Sequence, residues 1–308
     1  MKNRASLKGF SLIEIIVVIT IIGILVAILV PSLYGLRMRA KKTKELNILK
    51  QVVQAWTMYS NDHLNEILPG YLDTNLQQHK ELAWAFPNET LIPPAPTYDS
   101  DYLNISGPWP WRLLPYMNNE WKSLMFYTNS DWSDRGEDVS EHGYEIAQKP
   151  AFGYNGFYLG GWQLYDSNAN KPKTLFSDVR LQNNRSMNVV TKSLAQIKNP
   201  SNTITFASTF LAEKQLYDSL PDDAPGTNFA IPSMLAGTRM WEILPNGYLK
   251  SNSETYIPIG RYNKMPAIGF ADGHVQNVEM HMLLNQKKWI PKAITVGDTP
   301  PEEFTHSQ

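Results

Sequence analysis

Apolar side chains fill residues 10–30 almost without interruption, the exceptions being Ser11, Glu14, Thr20 and Gly23. A helix of that length rises about 31 Å, close to the ~30 Å of bilayer hydrocarbon, so the pattern predicts one transmembrane helix. A removable secretory signal has a shorter apolar core and a small-x-small site behind it, whereas Pro31 stands here. Beyond it the pattern takes a helical period. Leu46, Leu49, Val53 and Trp56 recur at spacings of three, four and three, flanked by Ile48, Val52 and Tyr59. Residues 31–62 therefore predict an amphipathic helix that continues the first as one rod. Its stripe is broader than a coiled-coil seam and asks for a globular cover.

Residues 63–150 lose that period. Nine of the 21 prolines fall in them, with Trp109, Trp111, Trp121 and Trp132. This predicts long loops pinned by large rings, either a packed insertion or a ligand surface. Residues 151–285 read as a β-rich head, from the glycine-punctuated aromatic run Phe152 to Trp162 and the short runs Thr203 to Phe206 and Ala267 to Phe270. The pair Asp272-Gly273 ahead of His274 and Val275 predicts a two-residue hairpin turn of the primed kind, with positive φ at both residues. Residues 286–308 are expected as a carboxy-terminal tail. The whole reads as α+β: a long amino-terminal transmembrane and amphipathic helix packed on an antiparallel β-sheet head with long loops.

Composition and chemistry narrow the function. With 308 residues, 43% of them apolar, the chain can bury a sizeable core. The absence of cysteine removes disulfides, thiolate metal sites and thiol nucleophiles. The 28 Lys and Arg against 29 Asp and Glu leave a net charge of −1, so nucleic acid is not an expected partner without a local basic patch. None of the six histidines forms an H-E-x-x-H pair, and no G-x-S-x-G or phosphate-binding loop occurs. Read as an EF-hand from Asp131, the acidic loop places Arg135 and His142 at ligand positions, and that template fails. Calcium held by Asp131 and Asp134, or by Asp218 and Asp222, is the one ion expectation; no cofactor is expected. Asp272 with His274 reads as turn punctuation rather than acid–base chemistry. The expectation is a protein that is not an enzyme.

The amino terminus carries Lys2, Arg4 and Lys8 and no acid. Lys8-Gly9-Phe10-Ser11-Leu12-Ile13-Glu14, followed by the apolar run and Pro31, resembles the class III prepilin leader of type IV pilins and type II secretion pseudopilins. The resemblance implies a cytoplasmic leader over 1–9, cut after Gly9 by a prepilin peptidase that methylates the new terminus at Phe10. It implies that Glu14 neutralises the Phe10 amine of a neighbouring subunit in the lipid, and that Pro31 kinks the helix. Arg37, Arg39, Lys41, Lys42 and Lys44 outnumber the cations before the span, so charge counting alone gives the opposite orientation. The leader takes precedence, and the later cations become a solvated face or a headgroup contact. Phe152 to Gly156, Asn199 to Ala207, and Arg261-Tyr262-Asn263 leading to Asp272-Gly273-His274 are similar to a bacterial pilin-like group. That group shares a carboxy-terminal histidine, nine residues, then Asp-Gly; Tyr262 stands at the histidine position.

These resemblances imply a structural subunit of a type IV pilus-like or type II pseudopilus fibre, a minor one given its bulky head. It would be single-pass in the inner membrane with an exported head, found in the periplasm or in a surface fibre. The implied partners are the peptidase, other pilin or pseudopilin subunits, the inner-membrane assembly platform and the bilayer. The competing reading is an anchored glycan- or peptide-binding protein or hydrolase that stacks its ligand on Trp109 and Trp111.

Overall fold

The computed structural model describes residues 11–73, 75–76, 107–118, 120–127, 147–210, 216–217, 224–251, 256–262 and 264–301. The chain divides into two compact units, Met1–Lys44 and Glu45–Gln308. Helix α1, Leu12–Asp62, contributes to both, and its backbone is helical on either side of Pro31. In the first unit the apolar side chains of α1 lie open, from Leu12 at 76% exposed to Ile28 at 68%. A surface so apolar requires lipid or other helices as its cover.

In the second unit the same helix is a core element. Ile48, Leu49, Val52, Val53, Trp56 and Tyr59 are buried, which is the stripe the period of three and four foretells. They face an all-antiparallel five-stranded sheet. Its longest strand, Ile204–Phe210, pairs with Phe152–Tyr154, Ile257–Pro258 and Ala267–Phe270, and the last of these pairs with Val275–Asn277. Along Ala267–Phe270 the side chains alternate between two apolar clusters. Ala267 joins the cluster that contains the helix, Ile268 and Phe270 the opposite one with Trp241 and Trp289.

Every residue of Ile204–Phe210 is buried, although the strand includes Thr205, Ser208 and Thr209. Each hydroxyl has a carbonyl to donate to: Thr205 to Gly269 at 3.0 Å, Ser208 to Ile259 at 3.0 Å and Thr209 to Thr227 at 3.0 Å. That satisfies polar groups whose burial otherwise costs about 1–3 kcal/mol each. The short run expected from Thr203 to Phe206 thus extends to Phe210. The remaining strands form smaller sheets, antiparallel except for the two-residue pairing of Tyr71–Leu72 with Trp162–Gln163.

The turn after Ala267–Phe270 differs from the expected primed pair. Gly273 has φ +91°, Asp272 does not have positive φ, and the Gly273 N–H donates to the Phe270 carbonyl at 2.9 Å while Phe270 N–H donates to His274 at 3.0 Å. The loop therefore has three residues, Ala271 to Gly273, an ordinary turn closed by a left-handed glycine. Asp272 drives this choice, because its Oδ1 accepts the His274 N–H at 3.1 Å, a contact that keeps the aspartate on the right-handed side. Leu244 to Tyr248 and Leu181 to Arg185 repeat the geometry, with Asn246 and Asn183 accepting in the same place.

Residues 286–301 do not hang free as a tail. Trp289 and Ile290 are fully buried, and Asn155 Nδ2 donates to the carbonyls of Trp289 at 2.8 Å and Ile204 at 2.9 Å, tying this segment to the central strand.

Gly269 sets the distance between helix and sheet. A Cβ there would lie 2.4 Å from Val53 Cγ2, so α1 rests directly on the backbone of the strand. Gly269→Ala is expected to destabilise the second unit by about 1–3 kcal/mol through overpacking. Combined with Val53→Ala, its cost should be smaller than on the parent, a coupling that denaturant titration of the four variants reads directly.

Candidate functional site

Ser11 and Glu14 build the amino-terminal end of α1. The Ser11 N–H donates to Glu14 Oε2 at 2.7 Å, the Ser11 hydroxyl donates to the same oxygen at 2.9 Å, and the Glu14 N–H donates to Ser11 Oγ at 3.3 Å. This is a capping box, in which a serine at the cap and a glutamate three residues on satisfy each other's open helix-end groups. Its sequence signature is S-x-x-E, Ser11 to Glu14, ahead of the apolar run. Its consequence is electrostatic. A helix amino terminus carries partial positive charge, which suits a carboxylate and repels an ammonium on the preceding residue. Glu14 Oε2 holds both Ser11 donors, and among the described residues none donates to its Oε1.

Gly9 and Phe10 lie outside the described residues, as do Asp131, Asp134, Asp218 and Asp222. Among the described residues no three carboxylate or histidine side chains cluster as metal ligands. Of the cations after the span, Arg37, Arg39, Lys41 and Lys44 are exposed and Lys42 half-buried.

At the hairpin, His274 Nδ1 lies 2.6 Å from Asp272 Oδ1, and its ring stacks on Phe270 with centroids 4.2 Å apart. Slight burial pushes the Asp272 carboxyl up, but the hydrogen bonds from His274 outweigh it and hold the group below the usual carboxylate range. Lys50 of α1 donates to the Gly273 carbonyl, anchoring the turn to the helix. Both side chains of the pair stay more than a third exposed, as turn residues do. Tyr262, at the position of the group's histidine, is 4% exposed and belongs to the core. Its neighbour Arg261 is buried and donates to Thr209 at 2.8 Å and to Ala224, with Tyr127 4.5 Å beneath its guanidinium. Burial pulls its pKa down, and Glu45, itself buried, opposes that.

The tryptophans weighed as a ligand surface are core residues. Trp109 is 0% and Trp111 4% exposed, and Trp109 meets Phe206 edge-on at 5.0 Å. Trp109→Ala is expected to cost about 3–5 kcal/mol of stability in a denaturant titration. A variant that unfolds at the parental midpoint would show that the ring is not a core residue.

The family described as the prokaryotic N-terminal methylation motif matches residues 4–30. The type IV wide pilus major component PilA4 of Thermus thermophilus is 45% identical over 56 residues, which cover 18% of this chain and 43% of that protein. The type II secretion system core protein G of Escherichia coli is 38% identical over 63 residues, 20% of this chain and 43% of the relative. The same-named protein of Klebsiella michiganensis is 40% identical over 61 residues, again 43% of its length. The chain thus spans less than half the length of these relatives. No solved structure matches.

Proposed function

We propose that this chain is a structural subunit of a type IV pilus-like or type II pseudopilus fibre, processed at Gly9-Phe10 and assembled through α1. The observation that carries this reading is the methylation motif over residues 4–30 joined to a helix whose apolar side chains, Leu12 to Val30, lie exposed. In assembly, the exposed residues of α1 bury against neighbouring helices. The Phe10 ammonium of one subunit reaches the free oxygen of Glu14 on the next. Pairing removes the cost of an isolated charge in lipid on both partners and fixes the axial stagger. Pro31 lacks the N–H that would close one helical hydrogen bond, so α1 can bend there during packing.

The chain keeps to one membrane crossing, with the leader inside and the second unit exported. Prepilin peptidase and an inner-membrane assembly platform are its partners before assembly, and other pilin or pseudopilin subunits after it. The second unit has the size of a minor subunit rather than the main repeat. Fibres sheared from cells and quantified by peptide mass spectrometry test this. The mature chain should be present at well below the abundance of the main repeat. Its absence from the fibre fraction would refute the assignment, and equal abundance would refute minor status.

A further inference from the structure

Charge is scarce in the interior of the second unit. Among the described residues three charged side chains are buried: Glu45 at 0%, Arg112 at 2% and Arg261 at 4% exposed. A carboxylate withdrawn from water needs a cation, and the two arginines stand at opposite ends of the buried stretch of α1. Arg112 acts on Tyr59 and Arg261 on Glu45, positions about 21 Å apart along the helix axis. Burial disfavours the Arg261 charge, and Glu45 is the strongest influence restoring it, ahead of Tyr127 and Tyr262.

Arg261 is itself held by several elements. Its guanidinium donates to the Thr209 carbonyl of the central strand at 2.8 Å and to the Ala224 carbonyl, and lies 4.5 Å over the Tyr127 ring. Among the described residues its buried Nε has no acceptor. Glu45 is the first residue of the second unit, so α1 meets this anchored cation where it enters the fold. From there Leu49, Val52, Val53 and Trp56 pack by shape.

We propose that Glu45 and Arg261 form a latch that fixes the point at which α1 joins the second unit, and that neutralising Glu45 lets the helix lift at this end while the sheet stays folded. Apolar packing tolerates a small slide of helix over sheet. A buried charge pair does not, because either charge left alone in the interior is strongly disfavoured. The resulting opening is local, short of global unfolding. A pull transmitted along α1 reaches this contact before any other in the unit, which makes it the breakpoint for the helix. The inference concerns the second unit alone and stands whether or not the chain enters a fibre.

The test is amide hydrogen exchange, read by mass spectrometry on the full-length chain in detergent micelles. Glu45→Gln keeps the size of the side chain and removes its charge. Residues 46–53 are expected to exchange at least tenfold faster than in the parent, with Ile204–Phe210 within twofold. On an Arg261→Met background the direction should reverse: Glu45→Gln then removes a carboxylate stranded without its cation and slows exchange over 46–53. Arg261→Lys keeps the charge and should hold 46–53 within threefold of the parent. Parental rates in Glu45→Gln overturn the latch, as does equal acceleration of helix and strand. Acceleration on both backgrounds also overturns it, since Glu45 then answers another charge. Should Glu45→Gln not fold, Arg261→Lys decides, and tenfold faster exchange over 46–53 in that variant overturns the proposal. Failure of the fibre reading shows separately, as an unprocessed amino terminus, and leaves these rates untouched.

Discussion

Replacing Glu14 with alanine is expected to lower the assembled fraction at least tenfold, while the amount of chain in the membrane stays at the parental level. Alanine is a better helix former than glutamate and removes a carboxylate that costs up to about 2.5–3.5 kcal/mol inside a bilayer, so insertion does not suffer. What suffers is the contact between subunits. The Phe10 ammonium of each neighbour is left in lipid without a counter-charge, and breaking one member of a buried pair costs about 3–5 kcal/mol. Ser11→Ala is the control. It removes the hydroxyl of the capping box, about 0.5–2 kcal/mol at the helix end, but leaves both Glu14 oxygens in place, so assembly should largely persist. Fractionation of sheared fibres and membranes measures both variants. Parental assembly of Glu14→Ala would show that the carboxylate serves only to cap its own helix.

Gly9→Val is expected to leave the chain at full length, with processed product reduced at least 100-fold. Glycine stands immediately before the proposed cut, and a pocket fitted to its hydrogen has no room for a branched side chain. One methylene in a fitted pocket changes discrimination by about 10–200-fold, and valine adds three carbons. The substitution leaves the sequence of α1, which starts at Leu12, unchanged. A processed Gly9→Val chain would place the cut elsewhere.

The sequence displayed some of this architecture openly. The stripe from Leu49 to Tyr59 was legible because helical period and burial coincide, and α1 places those side chains in the core. Ile204–Phe210 was legible only to its midpoint, since Ser208 and Thr209 look like a strand's end until their carbonyl partners across the sheet are known. The hairpin at Asp272-Gly273 was visible, but not its turn type, which hinges on one Asp272 oxygen receiving the His274 N–H. Trp109 and Trp111 could have lined a ligand surface or a core, and aromatic residues look alike in both. Nothing local marked residues 286–301 as packed, because the contact with Asn155 spans 134 positions.

On the proposed function, α1 becomes a fibre element once the leader is removed. Intact and amino-terminal mass spectrometry of the wild-type chain from native membranes tests it most directly. The mature chain should begin at Phe10, one methyl group heavier than the bare sequence. A chain that retains Met1 to Gly9 would contradict the account and leave α1 as an ordinary anchor for a displayed head.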